Sequence, residues 1–224
     1  MTELQETPLH VGEYEYDVDK YRKSRAYYFI KRMMDIICSL MGIIIFSPIM
    51  IGIAAAIKLD SKGPAIFSQE RVGKNGKLFK MYKFRSMVSG AEELLDKLKD
   101  KNEMTGPTFK MKEDPRVTKV GKFIRKTSLD ELPQLFNVIR GEMSLVGPRP
   151  NLPREVVKFT GYQKMKLIVK PGLTCYWQVM GRSNIDFDEW MKLDIRYIEE
   201  RSTFLDLKLV FKTFSVFLGD DGAR

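Results

Sequence analysis

The stretch Met33-Met34-Asp35-Ile36-Ile37-Cys38-Ser39-Leu40-Met41-Gly42-Ile43-Ile44-Ile45-Phe46-Ser47-Pro48-Ile49-Met50-Ile51-Gly52-Ile53-Ala54-Ala55-Ala56-Ile57 carries one charge, Asp35. At ~1.5 Å per helical residue it covers the ~30 Å hydrocarbon core of a bilayer, so it reads as a membrane segment. About thirty residues precede it and no small-residue cleavage site follows, which argues against a cleaved signal peptide. Pro48, in mid-segment, has no amide to offer the carbonyl of Ile44, and its ring presses on that carbonyl. A bend is expected there, with the Ser47 hydroxyl left to satisfy the freed carbonyl where no water reaches. Both flanks are basic, Lys31 and Arg32 before, Lys58 and Lys62 after. Positive charge favours the cytoplasmic side, so the symmetry suggests a segment that enters and leaves by one face. These residues also allow a spanning helix kinked at its proline.

Outward from this block the charge is uneven. Met1 to Asp19 is acidic, whereas Lys20, Arg22, Lys23, Arg25, Lys31 and Arg32 form a basic collar that reads as a contact with anionic lipid headgroups. Over all 224 residues, 38 Lys and Arg against 29 Asp and Glu give a net charge of +9, which favours anionic partners. Aromatic residues do not alternate with basic ones across any nucleic-acid recognition module, so nucleic acid is not the expected anion. Cys38 and Cys175 are the only cysteines and His10 the only histidine, which excludes a disulfide framework, a four-ligand zinc site and histidine-based catalysis. The expected division is a polar leader over 1–27, the membrane helix over 28–60, a catalytic domain over 61–218 and a tail over 219–224.

Within that domain, Ala65 to Ser68 and Leu78 to Phe84 have the composition of short strands joined through Gly73-Lys74-Asn75-Gly76, which predicts a β-hairpin. Ser89 with Glu92 resembles a capping box ahead of a short helix marked by Leu94, Leu95 and Leu98. Asn102 to Pro115 reads as a surface loop of lid length. Val117 to Ile124 is amphipathic, and a helix running to about Arg140 is closed by Gly141. Asp188 to Glu200 places Trp190, Leu193 and Tyr197 on one helical face. The final helix lines up Leu207, Val210, Phe211, Phe214, Phe217 and Leu218 opposite Lys208, Lys212 and Ser215. Core packing and a position in the membrane interface both suit that last face.

Between two of these helices lies Arg125-Lys126-Thr127-Ser128-Leu129-Asp130-Glu131-Leu132-Pro133. In isolation Asp130-Glu131 reads as a helix start, with Ser128 and Glu131 as a capping box. The surroundings suggest chemistry. Arg125 and Lys126 lie just upstream, and Gly147-Pro148-Arg149-Pro150 holds a guanidinium between two prolines, where its phosphate-binding fork loses little entropy on ordering. A carboxylate beside fixed cations suits phosphoryl transfer, one acid as nucleophile and its neighbour as a hard ligand for Mg²⁺. Neither a Walker A loop nor a Gly-rich dinucleotide fingerprint is present.

In order along the chain stand Lys31-Arg32-Met33-Met34-Asp35, Ser47-Pro48, Tyr82-Lys83-Phe84-Arg85-Ser86-Met87, Ser128-Leu129-Asp130-Glu131-Leu132-Pro133-Gln134-Leu135, Val146-Gly147-Pro148-Arg149-Pro150, and Lys170-Pro171-Gly172-Leu173-Thr174 with Trp177-Gln178-Val179 and Gly181-Arg182. From Tyr28 to Leu218 this set resembles the bacterial sugar transferases, the monotopic polyprenyl-phosphate phosphoglycosyl transferases. The resemblance implies an α+β fold: an N-terminal re-entrant membrane helix hairpin bent at Ser47-Pro48, then a mainly helical cytosolic domain with a short β-hairpin and amphipathic interfacial helices. It implies that Asp130 attacks the β-phosphate of a UDP-sugar, that UMP leaves, and that the phosphosugar passes to polyprenyl (undecaprenyl) phosphate. By the same likeness Glu131 coordinates Mg²⁺, Arg125, Arg149 and Arg182 lie near the substrate phosphates, and Lys83 belongs to the same region.

The expected location is the cytoplasmic face of the inner membrane with both termini cytoplasmic. Membrane lipids, the two substrates and downstream glycosyltransferases are the expected partners. With no multi-helix membrane region ahead of Tyr28, the architecture resembles the family's small form, while the tail from Trp177 to Lys208 looks like that of the larger exopolysaccharide-priming enzymes. Cys175-Tyr176 stands where smaller residues are expected. The competing reading is a non-catalytic membrane adaptor that binds anionic lipid or a partner protein.

Overall fold

The computed structural model describes residues 19–94, 98, 100, 102–103, 106–109, 111, 113–180 and 185–219, with backbone alone from 214 onward. Its first long element, α1 (Arg25–Asp60), is capped by Ser24, whose hydroxyl accepts from the amide of Tyr27 at 3.2 Å. It is the one helix among the described residues long and apolar enough to cross a membrane. The Ser47 hydroxyl donates to the Ile44 carbonyl at 2.9 Å, replacing the bond that Pro48 cannot make. That local repair differs from the expected hairpin turn: α1 passes through Pro48 as one helical run of 36 residues.

One face of α1 docks on the rest of the protein and the other stays bare. Tyr27, Asp35, Ser39, Ile53 and Ile57 are buried, whereas Ile44, Ile45 and Ile51 are 72, 66 and 71% exposed. The N-terminal half is held by polar contacts. Lys31 Nζ donates to the Val146 carbonyl (3.0 Å) and to Asp206 Oδ2 (2.9 Å), which also accepts from the Tyr27 hydroxyl. Arg32 donates to the carbonyls of Val138 (2.7 Å) and Ile139 (2.6 Å), and Asp35 Oδ1 accepts from Ser144 Oγ and the Leu145 amide, both at 2.9 Å. Lys31 and Arg32 were expected to meet lipid headgroups. They turn inward instead, because unpaired carbonyls and Asp206 within the protein offer charge-assisted bonds where water is scarce.

Beyond α1, β1 (Ile66–Val72) pairs antiparallel with β2 (Leu78–Phe84), Phe67 opposite Lys83. Asn75 (φ 56°) and Gly76 (φ 77°) turn the chain, the left-handed conformation for which Asn and Gly are best suited. The hairpin was expected; β1 runs past the predicted Ser68 because Gln69, Glu70 and Arg71 find ladder partners in Met81, Lys80 and Phe79. Ser89 caps no helix. Its hydroxyl donates to the Lys62 carbonyl, and residues 89–94 form turns, with Leu95 outside the described residues.

α2 (Lys119–Lys126) follows, then a 3₁₀ turn over Leu129–Glu131 and α3 (Gln134–Arg140), ended by Gly141 at φ 82°. β3 (Ser144–Val146) and β4 (Gly172–Thr174) form a parallel pair that their short, Gly- and Pro-flanked sequences hide. A Cβ on Gly172 would stand 2.1 Å from the Gly147 nitrogen, so this pairing needs glycine. Three short helices, α4 (Pro153–Val156), α5 (Gly161–Lys164) and α6 (Tyr176–Met180), precede α7 (Phe187–Glu200) and α8 (Thr203–Gly219). The architecture is mixed and mostly helical, as expected. Trp190 and Tyr197 of α7 are buried with Leu193 packed beside them, and Cys175 lies wholly within the core against Val146 and Ile198. On α8, Leu209 is buried and Val210 packs beside it, while Phe204 and Phe211 are 79 and 70% exposed, so the described part of that helix has one packed side and one bare aromatic side.

Candidate active site

The 3₁₀ turn that carries Asp130 and Glu131 starts from Ser128, whose φ of 52° puts it in the left-handed region without a side-chain cap bond. The capping box allowed by the sequence is therefore absent, and Glu131 is released for other partners. Its Oε1 accepts from Lys83 Nζ at 2.7 Å and from Arg149 Nη1 at 3.0 Å. Lys83 Nζ also lies 3.6 Å from Asp130 Oδ2. One ammonium from β2 and one guanidinium from the Pro-flanked loop thus converge on two adjacent carboxylates. Arg125, on α2, donates from Nε to Ser86 Oγ at 2.9 Å, and its charge acts directly on Asp130.

The two acids differ electrostatically. Burial pushes the Asp130 carboxyl above the ordinary aspartate range; Lys83 opposes the shift, and the neighbouring Glu131 charge adds to it. Burial acts upward on Glu131 too, but the charges and hydrogen bonds of Lys83 and Arg149 override it and hold this carboxyl well below the usual range. Asp130 is consequently a basic, poorly solvated carboxylate at 8% exposure, and Glu131 a permanently ionised one. That asymmetry suits a nucleophile beside a fixed anion.

Lys83, Arg125 and Arg149, singled out in the sequence, are brought together around Asp130 and Glu131. Arg182 lies outside the described residues. Ser47 and Pro48 sit far along α1 and belong to the membrane segment.

Sequence reasoning missed three supporting residues. Asn137 is wholly buried on α3: its Oδ1 accepts from the Tyr82 amide (3.0 Å) and its Nδ2 donates to the Lys80 carbonyl (2.7 Å), which fixes β2 against α3 and so Lys83 against Glu131. Arg71 donates to the Pro150 carbonyl at 3.2 Å, and burial, with Arg149 adding repulsion, lowers its pKa to about 10. Lys166, also buried, donates to Asn151 Oδ1 at 2.7 Å, holding the far side of the same loop. Trp177 offers its ring to the Arg149 guanidinium at 5.8 Å. The available signal was a polar or charged residue in apolar surroundings: Arg71 within a strand, Asn137 and Lys166 among core residues.

A family model described as Bacterial sugar transferase matches residues 26–220. The chain is 50% identical over 195 residues to the galactosyl transferase CpsE of Streptococcus agalactiae serotype III (strain NEM316), covering 87% of this chain and 43% of that protein. It is 47% identical over 203 residues to the undecaprenyl-phosphate galactose phosphotransferase of Salmonella typhimurium (strain LT2), covering 89% and 42%. Against the exopolysaccharide production protein ExoY of Rhizobium meliloti (strain 1021) identity is 40% over 187 residues, covering 82% and 83%. The chain thus spans less than half the length of the first two relatives and most of the third. Since the match runs unbroken from α1 through the acidic pair and the Arg149 loop to α8, the chain belongs to the bacterial sugar transferase family.

Proposed function

We propose that this protein moves a sugar 1-phosphate from a UDP-sugar to polyprenyl phosphate, undecaprenyl phosphate in bacteria, and so starts a lipid-linked glycan such as an exopolysaccharide or capsule. The observation that carries this reading is the shared clamp on the acidic pair: Lys83 reaches both carboxylates, and Arg149 fixes the second. The relatives' names, which specify undecaprenyl-phosphate galactose phosphotransfer and exopolysaccharide production, support the same chemistry.

In the proposed first step an Asp130 carboxylate oxygen bonds to the β-phosphorus of the UDP-sugar, and the bond from that phosphorus to the bridging oxygen breaks. UMP leaves with the electron pair. In the second step a phosphate oxygen of the lipid bonds to the same phosphorus and the bond to Asp130 breaks, restoring the carboxylate and giving the lipid diphosphate sugar. Lys83, Arg125 and Arg149 offset the charge on the transferring phosphoryl oxygens, and the burial of Asp130 keeps water from the acyl phosphate between the two steps.

Mg²⁺ fits the donor set, since hard cations of this size take one or two carboxylates and complete their shell with substrate phosphates and water. Glu131, kept ionised by its cations, would hold it, and the ion would neutralise charge on the pyrophosphate.

The proposed setting is the cytoplasmic face of the inner membrane, with both chain termini on that face. Both ends of α1 pack on one body: Tyr27, Lys31 and Asp35 at its start, and Ile53 and Ile57 with Phe84 and Ile124 at its end. A spanning helix would send those ends to opposite sides of the bilayer. Downstream glycosyltransferases would receive the product. The test is release of UMP from a panel of UDP-sugars with undecaprenyl phosphate: Asp130→Asn should abolish it while membrane association persists, and normal turnover by that variant would eliminate Asp130 as nucleophile.

A further inference from the structure

Behind the Arg149 loop lies a buried ion pair to which the proposed chemistry gives no part. Lys166 Nζ, on the 3₁₀ turn Met165–Ile168, stands 2.7 Å from Asp194 Oδ2 of α7, and the two residues are 3 and 0% exposed. Holding a core together is a weak reason for such a pair, because well-packed apolar residues of similar volume often serve as well or better. What two buried charges add is a fixed place for the ammonium, and two routes lead from it to Arg149.

The first route runs through hydrogen bonds. Lys166 Nζ donates to Asn151 Oδ1 at 2.7 Å, Asn151 Nδ2 donates to Glu155 Oε2 at 3.0 Å, and the Asn151 carbonyl accepts from the Val72 amide at 3.0 Å. Asn151 is thus pinned at three points, and only Pro150, whose ring fixes φ, separates it from Arg149. The second route runs through the chain's two tryptophans. The Lys166 ammonium lies 4.8 Å from the centre of the Trp190 ring, Trp190 and Trp177 pack with their ring centres 5.0 Å apart, and Trp177 holds the Arg149 guanidinium at 5.8 Å. Two indoles therefore link the buried ammonium to the guanidinium of the site, each contact within the range at which rings attract cations or one another.

We propose that Lys166, with Asp194 behind it, is a positioning residue for the transfer: by both routes it sets where the Arg149 guanidinium stands at the acidic pair. This rests on the transferase reading above and adds to it residues away from the reacting atoms. Among the described residues, Arg149 donates to Glu131 through one nitrogen, Nη1, and a single bond lets a guanidinium pivot. The loop and the Trp177 ring are what fix its plane. A two-pronged phosphate contact needs that plane fixed, and an error of ~1 Å in placing such a group can cost about 10²-fold in rate.

Lys166→Met combined with Asp194→Asn neutralises both partners at nearly constant volume and leaves no unpaired buried charge. The first readout is modification by phenylglyoxal, an arginine reagent, mapped by mass spectrometry. Arg149 is expected to react several-fold faster than in the wild type while the exposed Arg140 keeps its rate. An unchanged Arg149 overturns the proposal, and so does an equal rise at every arginine, which would make the pair a general staple of the core. The second readout is UMP release: kcat is expected to fall about tenfold or more, and the same two changes in an Arg149→Lys background, where the flat fork is already gone, to cost less than about twofold. An unchanged kcat, or an equal loss in both backgrounds, overturns the proposal. Should the double variant not fold, Asn151→Ala with Trp177→Leu cuts both routes, leaves the ion pair in place and is read in the same two ways. If the wild type releases no UMP from any UDP-sugar, the transferase reading falls, and the phenylglyoxal reactivity of Arg149 still decides whether Lys166 positions it.

Discussion

Lys83 Nζ sits 2.7 Å from Glu131 Oε1, a contact between a strand and a 3₁₀ turn 48 residues apart. The same ammonium lies close to Asp130 and lowers the pKa of a carboxyl that burial otherwise raises. Replacing Lys83 by Gln therefore raises the Asp130 pKa further. Because the ionised form is the nucleophile, activity falls as pH drops through that pKa, and the acidic limb of the pH–rate profile moves to higher pH in the variant. We expect the shift together with a loss in kcat on the order of 10²-fold or more, measured as UMP release from pH 5 to 9.

Asp130→Asn is expected to raise thermal stability while removing activity. Folding raises this carboxyl's pKa, so the unfolded chain gives up the proton at lower pH than the folded protein. Stability present at low pH is then lost as pH rises through the window above the ordinary aspartate value. The neutral amide avoids that loss. At pH 7.5 the melting temperature should increase by a few degrees, about 2–4 °C for each ~1 kcal/mol in a domain of this size. A lower melting temperature at neutral pH would contradict the assignment of burial as the dominant influence.

Arg32 closes the C-terminal end of α3 by donating to Val138 and Ile139, tying the membrane helix to the helix that follows the acidic pair. Arg32→Ala leaves those carbonyls unpaired at a part-buried site and should destabilise the protein by about 1–3 kcal/mol. Arg32→Lys, lacking the two-pronged fork, should restore only part of this. Thermal melts in detergent or nanodiscs supply the measurement.

Gly121 lets α2 lie against the chain at Ser86. A Cβ there would stand 2.0 Å from the Ser86 carbonyl oxygen, and Ser86 in turn orients Arg125. Gly121→Ala should displace α2 and lower activity at least about tenfold, beyond the effect of Ser86→Ala, in parallel UMP-release assays.

Topology can be read by labelling. In a Cys38→Ser background, Gln5→Cys and Asp220→Cys should both be shielded from an impermeant thiol reagent in intact cells and labelled after permeabilisation. Labelling of one alone would point to a spanning α1. Pro48→Ala restores an amide to the helix and should shift part of the population toward that state.

Much of the site was legible because its charge pattern is unusual. Asp130-Glu131 beside Arg125, and Arg149 between prolines, stood out as residue types suited to phosphate, and Lys83 lay in a motif of the same family. The supporting shell was hidden because its chemistry depends on burial, which sequence does not reveal residue by residue. Asn137 and Lys166 are ordinary polar residues until the fold excludes water from them. Likewise β3 and β4 are too short to show a two-residue period, and only their pairing across Gly147 and Gly172 makes them strands.

The sequence alone determined the apolar segment, the bond from Ser47 to the Ile44 carbonyl, the β-hairpin, the helix stop at Gly141 and the family, since each rests on local covalent chemistry or on ordered motifs. Tertiary structure decided the rest. It turned Lys31 and Arg32 from a lipid-facing collar into internal anchors, and it converted Glu131 from a helix cap into the partner of Lys83 and Arg149. The physical reason is the same in both cases: a charge leaves water only where folding brings a counter-charge or open carbonyls within about 3 Å, and those partners lie tens of residues away in the chain.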